Sequence, residues 1–244
     1  MSLAINPGAQ AFRPQSGPFG MNDLSTSRFA HSDAVLSHYA AGEEVVGEGD
    51  PTDNFYMVVK GVFRAVKVTR DGRRQIFAFY MPGDMCGLEP GDRYDLTIEA
   101  VNTASMAALS RPACRARMNR DPEFNAAVFE GATRALSLSV DHMTMVGRSS
   151  AEERLAWFLT MLRDRAAVPG RIPPTVDLVM QRQDIADYLG LTIETVSRTF
   201  THMKERGLIA LPTTRRVQIL NVEQLERLAA ADRDAPLWDR TTYA

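Results

Sequence analysis

Cysteine is nearly absent. Cys86 and Cys114 are the two in 244 residues, 28 positions apart, with no CxxC pair. That spacing excludes a disulfide scaffold and a cysteine-based zinc site. Histidine is scarce too. His31, His38, His142 and His202 form no spaced ligand set, and none falls between Glu43 and Leu109. No apolar run approaches the length of a membrane span. The N-terminus lacks the charged-then-apolar pattern of a signal peptide, so the expected location is the cytoplasm. Neither sign of charge dominates, and the formal net charge of -2 excludes a general basic coat for nucleic acid. The distribution is nevertheless uneven. Between positions 198 and 216, Arg198, Lys204, Arg206, Arg215 and Arg216 face Glu205 alone, a local charge of +4. Such a patch suits a selective DNA binder, although a solvated charged face gives the same count.

The hydrophobic fraction of 45% supports a substantial core, and the length suits one large domain or two ordinary ones. Residues 1–28, rich in proline and glycine and poor in aliphatics, read as a mobile arm. Residues 29–40 read as a short helix. From Glu43 to Leu109, short apolar runs alternate with turn signals, and Gly61, Gly72 and Gly83 are spaced eleven apart. Asp71-Gly72 predicts a hairpin between Phe63–Val68 and Gln75–Tyr80. Evenly spaced short strands imply a small antiparallel barrel or roll.

Asp121-Pro122 starts a helix, with Asp121 as cap, that runs to about Met145. Phe129, Leu136, Val140 and Met143 follow one seam along it. A seam on a long helix between two domains pairs with its own copy or packs on its own barrel, and the pattern favours neither. Glu152–Arg165 is amphipathic, with Leu155, Phe158, Leu159 and Leu162 on one side. A proline-rich loop follows, then two short helices joined by a tight turn at Gly190. Thr192 caps the second of these, and Ile193, Val196, Phe200 and Met203 form its apolar face. Glu194, Ser197 and Arg198 share a different face. Leu208–Leu211 and Arg216–Leu220, flanking Pro212-Thr213-Thr214, predict a hairpin wing, and Asn221–Ala231 a last helix.

Glycine-punctuated roll, long helix and winged helix-turn-helix occur in that order, and the chain from about residue 30 to 230 resembles the CRP/FNR superfamily of bacterial transcription regulators. The segment from Asp184 to Arg198 resembles its FNR and FixK branch, in which E-x-x-S-R reads a TTGA-type half-site. The resemblance implies an α+β fold. It comprises a cyclic-nucleotide-binding-like β-roll (29–120), a dimerisation helix (121–147), a winged helix-turn-helix (148–231) and a tail (232–244). It implies a homodimer that binds palindromic double-stranded DNA, contacts RNA polymerase and mainly activates. The genes expected are those of microoxic respiration, denitrification or nitrogen fixation. Glu194 would accept from a cytosine amino group, Arg198 would donate to guanine O6 and N7, and Ser197 would touch a base edge. Arg182, Thr199, Thr201, Lys204 and Arg215 are the phosphate candidates.

Departures from the superfamily bear on what the roll senses. The cyclic-nucleotide branch uses a Gly-Glu pair for the ribose and an Arg-Ser pair for the phosphate. Here Leu88 stands at the glutamate position, and Tyr94-Asp95-Leu96-Thr97 carries no arginine, although Arg93 is adjacent. Iron-sulfur sensors need a cysteine cluster, of the order of four thiolates; this arm has none, and the matching roll position is Ala108. No cofactor is therefore expected. Cys86 and Cys114 read as a buried apolar residue and an ordinary thiol; a redox role needs a lowered pKa and access, for which only Arg111, Arg115 and Arg117 around Cys114 give some ground. The alternatives are a roll that binds haem, nitric oxide or another small effector and, more remotely, a cupin-like enzyme. The latter would require histidines that the roll lacks.

Overall fold

The computed structural model describes residues 34–148, 150–167 and 172–230. The arm expected over 1–28 and the tail expected over 232–244 lie outside them. The chain divides into two compact units between Val140 and Asp141, a boundary that falls inside the long helix.

Eight strands build the first unit: β1 Val35–Tyr39, β2 Glu44–Val46, β3 Asn54–Lys60, β4 Phe63–Val68, β5 Arg74–Tyr80, β6 Met85–Cys86, β7 Thr97–Ala100 and β8 Ala104–Ser110. They form two four-stranded antiparallel sheets, ordered β1-β8-β3-β6 and β2-β7-β4-β5. Val58, Phe63, Tyr94, Ile98 and Met106 are buried in the core they enclose. The hairpin at Asp71-Gly72 forms as expected, pairing Val68 with Arg74 and Phe63 with Tyr80. Gly61 shows why the turns need glycine. Its φ is +78°, and an added Cβ would lie 2.5 Å from the Ala104 Cβ.

Two differences from the sequence reading stand out here. The helix expected over 29–40 is a strand where it is described, because Val35–Tyr39 pairs residue for residue with Ala108–Ala104 of β8. Tertiary pairing overrides local propensity in so short a segment. Conversely, Arg111–Met118 forms a helix, α1, that was not expected. Ser110 caps it through the Ala113 amide, and Cys114 anchors it in the core.

Helix α2 runs Pro122–Arg148. Asp121 Oδ1 caps it, accepting from the Phe124 amide at 2.9 Å. One face carries Phe124, Val128 and Gly131. Phe124 and Val128 pack with Met57, Met85 and Leu109 of the roll, and a Cβ on Gly131 would come within 2.7 Å of Met85 Sδ. The seam lies elsewhere on the helix. Phe129 is 74% exposed, Leu136 65% and Met143 65%, with Val140 half-buried.

In the second unit, α3 (Ala151–Arg165) starts from a reciprocal Ser150–Glu153 capping box and buries Leu155, Phe158, Leu159 and Leu162. Helices α4 (Arg182–Leu189) and α5 (Ile193–Glu205) form the helix-turn-helix, and α6 (Val222–Ala230) follows the wing. A sheet ordered β10-β11-β9 joins Ile209–Thr213, Arg216–Ile219 and the unexpected strand Thr175–Asp177. The wing forms, but its tip is Thr214-Arg215, because Thr213 still pairs with Arg216. Pro212 has no N–H for the ladder and sits within the register shift between Ala210 and Thr213.

Candidate nucleic-acid interface

The turn between α4 and α5 depends on Gly190, which adopts the left-handed φ 63°, ψ 40° that ends a helix without a Cβ clash. The carbonyls at the end of α4 are taken up by side chains. Arg154 Nη1 donates to Leu189 O at 2.9 Å, and His142 Nε2 donates to Tyr188 O at 2.7 Å. The His142 ring also stacks on the Tyr188 ring at 4.0 Å, with Trp157 beside both. Burial pushes the His142 pKa below its ordinary value, so the neutral ring is favoured. The sequence reading assigned His142 no role. Its only signal was a lone histidine on a helical pattern, which is uninformative without the tertiary partner.

Thr192 Oγ1 accepts from the Thr195 amide and opens α5. Val196, Phe200 and Met203 are buried, and this apolar face fixes the helix by burial. Glu194, Ser197 and Arg198 are consequently exposed together on the first turns. Glu194 and Arg198 do not pair with each other, and among the described residues Arg198 makes no ion pair. The Glu194 carboxyl is held below its ordinary range by the amide of its own residue and by the Thr192 hydroxyl, so it is an ionised acceptor.

The basic patch divides in two. Arg206 donates to Glu152 at 2.5 Å, and Arg216 makes a forked contact with Asp177 at 2.7 and 3.3 Å. Among the described residues, Arg198, Lys204 and Arg215 have no such partner, and all three are exposed. These three are the members of the patch expected to contact DNA. Thr201 donates to its i−4 carbonyl, Ser197 O, across a long 3.2 Å, but it is exposed, so its hydroxyl is free to exchange that bond for a phosphate. Thr199 is not: it is buried, and its hydroxyl donates to Thr195 O at 2.8 Å, so it presents no free hydroxyl to a phosphate.

Arg182 is also differently placed from an open phosphate contact. Its guanidinium carbon lies 3.4 Å from the centre of the Phe200 ring, and Nη2 donates to Thr214 O across a long 3.4 Å. Nη1 is buried with no hydrogen-bond partner. Burial lowers its pKa to about 10. A desolvated cation–π contact contributes about 2 kcal/mol, and an unmade buried hydrogen bond costs about 1–3 kcal/mol. The two nearly cancel, so net stability does not explain the arrangement.

Residues 153–228 match the Crp-like helix-turn-helix domain family, and residues 36–121 match the cyclic nucleotide-binding domain family. The chain is 42% identical over 191 residues to the nitrogen fixation regulation protein FixK of Azorhizobium caulinodans, covering 78% of this chain and 77% of that one. The chain belongs to the CRP/FNR family of transcription regulators. It is 42% identical over 194 residues to the transcriptional activatory protein AadR of Rhodopseudomonas palustris, covering 79% and 80% of the two chains. The solved structure of FixK2 from Bradyrhizobium japonicum superposes with a TM-score of 0.73 at 36% identity, covering 80% of this chain and 96% of that one. The protein is thus a DNA-binding regulator of this family and not an enzyme.

In the first unit, several polar groups near the loop after β6 are engaged by the fold's own carbonyls. Leu88, at the ribose-binding position, packs against the cluster of Met57, Met85 and Leu109. Arg93 Nη1 donates to Gly49 O at 2.6 Å. Tyr94 Oη donates to Asn54 O at 2.7 Å. Arg111 Nη2 donates to Gly87 O and Glu89 O, with its guanidinium over the Phe55 ring. Ala108 packs in the roll core. Among the described residues, no group of three or more His, Cys, Asp or Glu could hold a metal ion. Both thiols are buried. Burial pushes Cys86 well up, and it outweighs Arg117 and Arg115 at Cys114, which is raised as well. That is the reverse of the lowering that a reactive thiolate needs. No helix of the described chain is long and apolar enough to cross a membrane.

Proposed function

We propose that the protein is a cytoplasmic homodimer that activates transcription from palindromic TTGA-type sites. Two copies of α5 enter successive major grooves, with the twofold axis of the dimer matched to that of the site. Arg198 holds a guanine by its forked guanidinium, Glu194 accepts from a cytosine amino group, and Ser197 touches a neighbouring base edge. Lys204, Arg215 and Thr201 meet phosphates and set the register. The seam of Phe129, Leu136, Val140 and Met143 joins the two copies. The regulator also touches RNA polymerase. By its kinship with FixK proteins, its genes belong to microoxic respiration, denitrification or nitrogen fixation.

The observation that carries this reading is the sorting of charge on the second unit. Arg206 and Arg216 are paired with carboxylates, while Arg198, Lys204 and Arg215 are exposed without one among the described residues. The exposed apolar seam supports the dimer, since three large apolar side chains in line on one helix are not left in water without cause. Sequencing genomic fragments captured by the purified protein tests the proposal. Enrichment of a TTGA palindrome is expected. Binding with no enriched motif, or a motif without twofold symmetry, overturns it.

A further inference from the structure

The placement of Arg182 deepens the DNA-reading proposal and rests on it. Arg182 is the first residue of α4, where the helix dipole disfavours a cation. Among the described residues no carboxylate offsets its charge, and Nη1 lacks an acceptor. An exposed arginine in search of a phosphate would avoid these penalties by extending into water. This one instead sits over the Phe200 ring, which belongs to α5, and reaches the Thr214 carbonyl, which belongs to the tip of the wing. The other ties on the wing run toward β9, and one of them also reaches the tip. Its strand β11 pairs with β9 through Val217 and Val176, and the Leu178 amide donates to Arg215 O at 2.7 Å. Those contacts hold the wing to β9. Arg182 holds the wing's tip to the recognition helix.

We propose that Arg182 is a positioning residue that locks the tip of the wing to α5, setting the Arg215 phosphate contact in register with the base contacts of Glu194 and Arg198. The planar guanidinium is essential to this role. It can lie against a ring face while its edge donates to a carbonyl, and an ammonium group cannot do both. A lysine would preserve a direct phosphate contact, since a point charge suffices there. The two roles are therefore separable with the charge held constant.

The test uses full-length Arg182→Lys, Arg182→Gln and Arg215→Ala proteins, and the double variant Arg182→Lys/Arg215→Ala. Amide hydrogen exchange at Thr214, Arg215 and Arg216 is measured without DNA, and binding to a TTGA palindrome is measured across a salt series. Positioning predicts faster exchange at the wing tip in both Arg182 variants, with the rest of the second unit unchanged. It also predicts that both lower the salt slope by about 1 per half-site, and that adding Arg215→Ala to Arg182→Lys causes no further loss. Wing-tip exchange as slow in Arg182→Lys as in the wild type overturns the proposal. So does a lysine variant that keeps the wild-type slope, or an additive double variant, since independent contacts add. If the wild type shows no preference for the palindrome, the DNA reading fails by itself, and the exchange data still decide whether Arg182 holds the wing.

Discussion

In the roll, Arg93 and Arg111 turn their guanidinium groups onto carbonyls of the neighbouring loops; in the winged helix-turn-helix, Arg198 and Arg215 turn theirs to solvent. Within the first unit itself, two leucines are treated in opposite senses. Leu88 packs inward at the site where a nucleotide-binding roll would offer a carboxylate, whereas Leu136 on α2 is left 65% exposed. A polar group already satisfied within its own fold has little to offer a ligand, because binding must first break the internal bond. A charged group without a partner carries no such cost. The roll is thus arranged as a scaffold, and the second unit together with the α2 seam is arranged for external partners.

The strongest way to break this comparison is to remove the outward apolar seam. Leu136→Glu should leave the monomer folded, since the side chain is already exposed. It should convert the dimer to monomer in sedimentation and weaken binding to the palindrome by about 100-fold or more, because the two half-sites lose their linkage. A variant that stays dimeric and binds normally removes the seam from the interface.

Arg198→Ala comes next. It should cost about 1–3 kcal/mol of discrimination at the contacted base pair in each half-site. Affinities for the palindrome and for its guanine-substituted variants, at one fixed salt concentration, read this directly. Unchanged ranking of the sites means that Arg198 is not the reader.

A smaller effect concerns His142, the buried histidine against the helix-turn-helix. Its folded pKa lies below the ordinary 6.5, with burial as the main cause. As pH falls below about 6.5, the unfolded chain takes up a proton that the folded protein resists, so stability declines until the folded value is passed. Above that pH the contribution is constant. His142→Gln, which keeps a donor for Tyr188 O, should flatten the dependence of melting temperature between about pH 7.5 and about pH 5. Equal slopes in the variant and the wild type would assign the dependence to other groups.

The smallest expected effect is none at all. Cyclic AMP should neither bind the roll measurably by calorimetry nor change DNA affinity, since Leu88 offers no carboxylate to a ribose and Arg93, though exposed, already donates to Gly49 O. Micromolar binding that raises DNA affinity would make the roll a sensor and end the contrast between the two units.

Local rules made much of this molecule legible in its sequence. Asp71-Gly72 specified a hairpin, Asp121-Pro122 a helix start, Gly190 and Thr192 the helix-turn-helix corner, and the spacing of Val196, Phe200 and Met203 the buried face that leaves Glu194, Ser197 and Arg198 outside. Each rests on backbone geometry or periodicity within a few residues, which is what a linear sequence encodes directly. Tertiary structure decided what depends on partners distant in the chain. Val35–Tyr39 became a strand only because β8 lay beside it, and Thr175–Asp177 only because β11 did. Glu152 and Asp177 took Arg206 and Arg216 out of the basic patch. Burial, not the neighbouring arginines, set the direction at Cys114, and a ring 18 positions away drew Arg182 from the surface. Composition and spacing count charges, but desolvation and pairing determine which charges remain available, and both are properties of the folded neighbourhood.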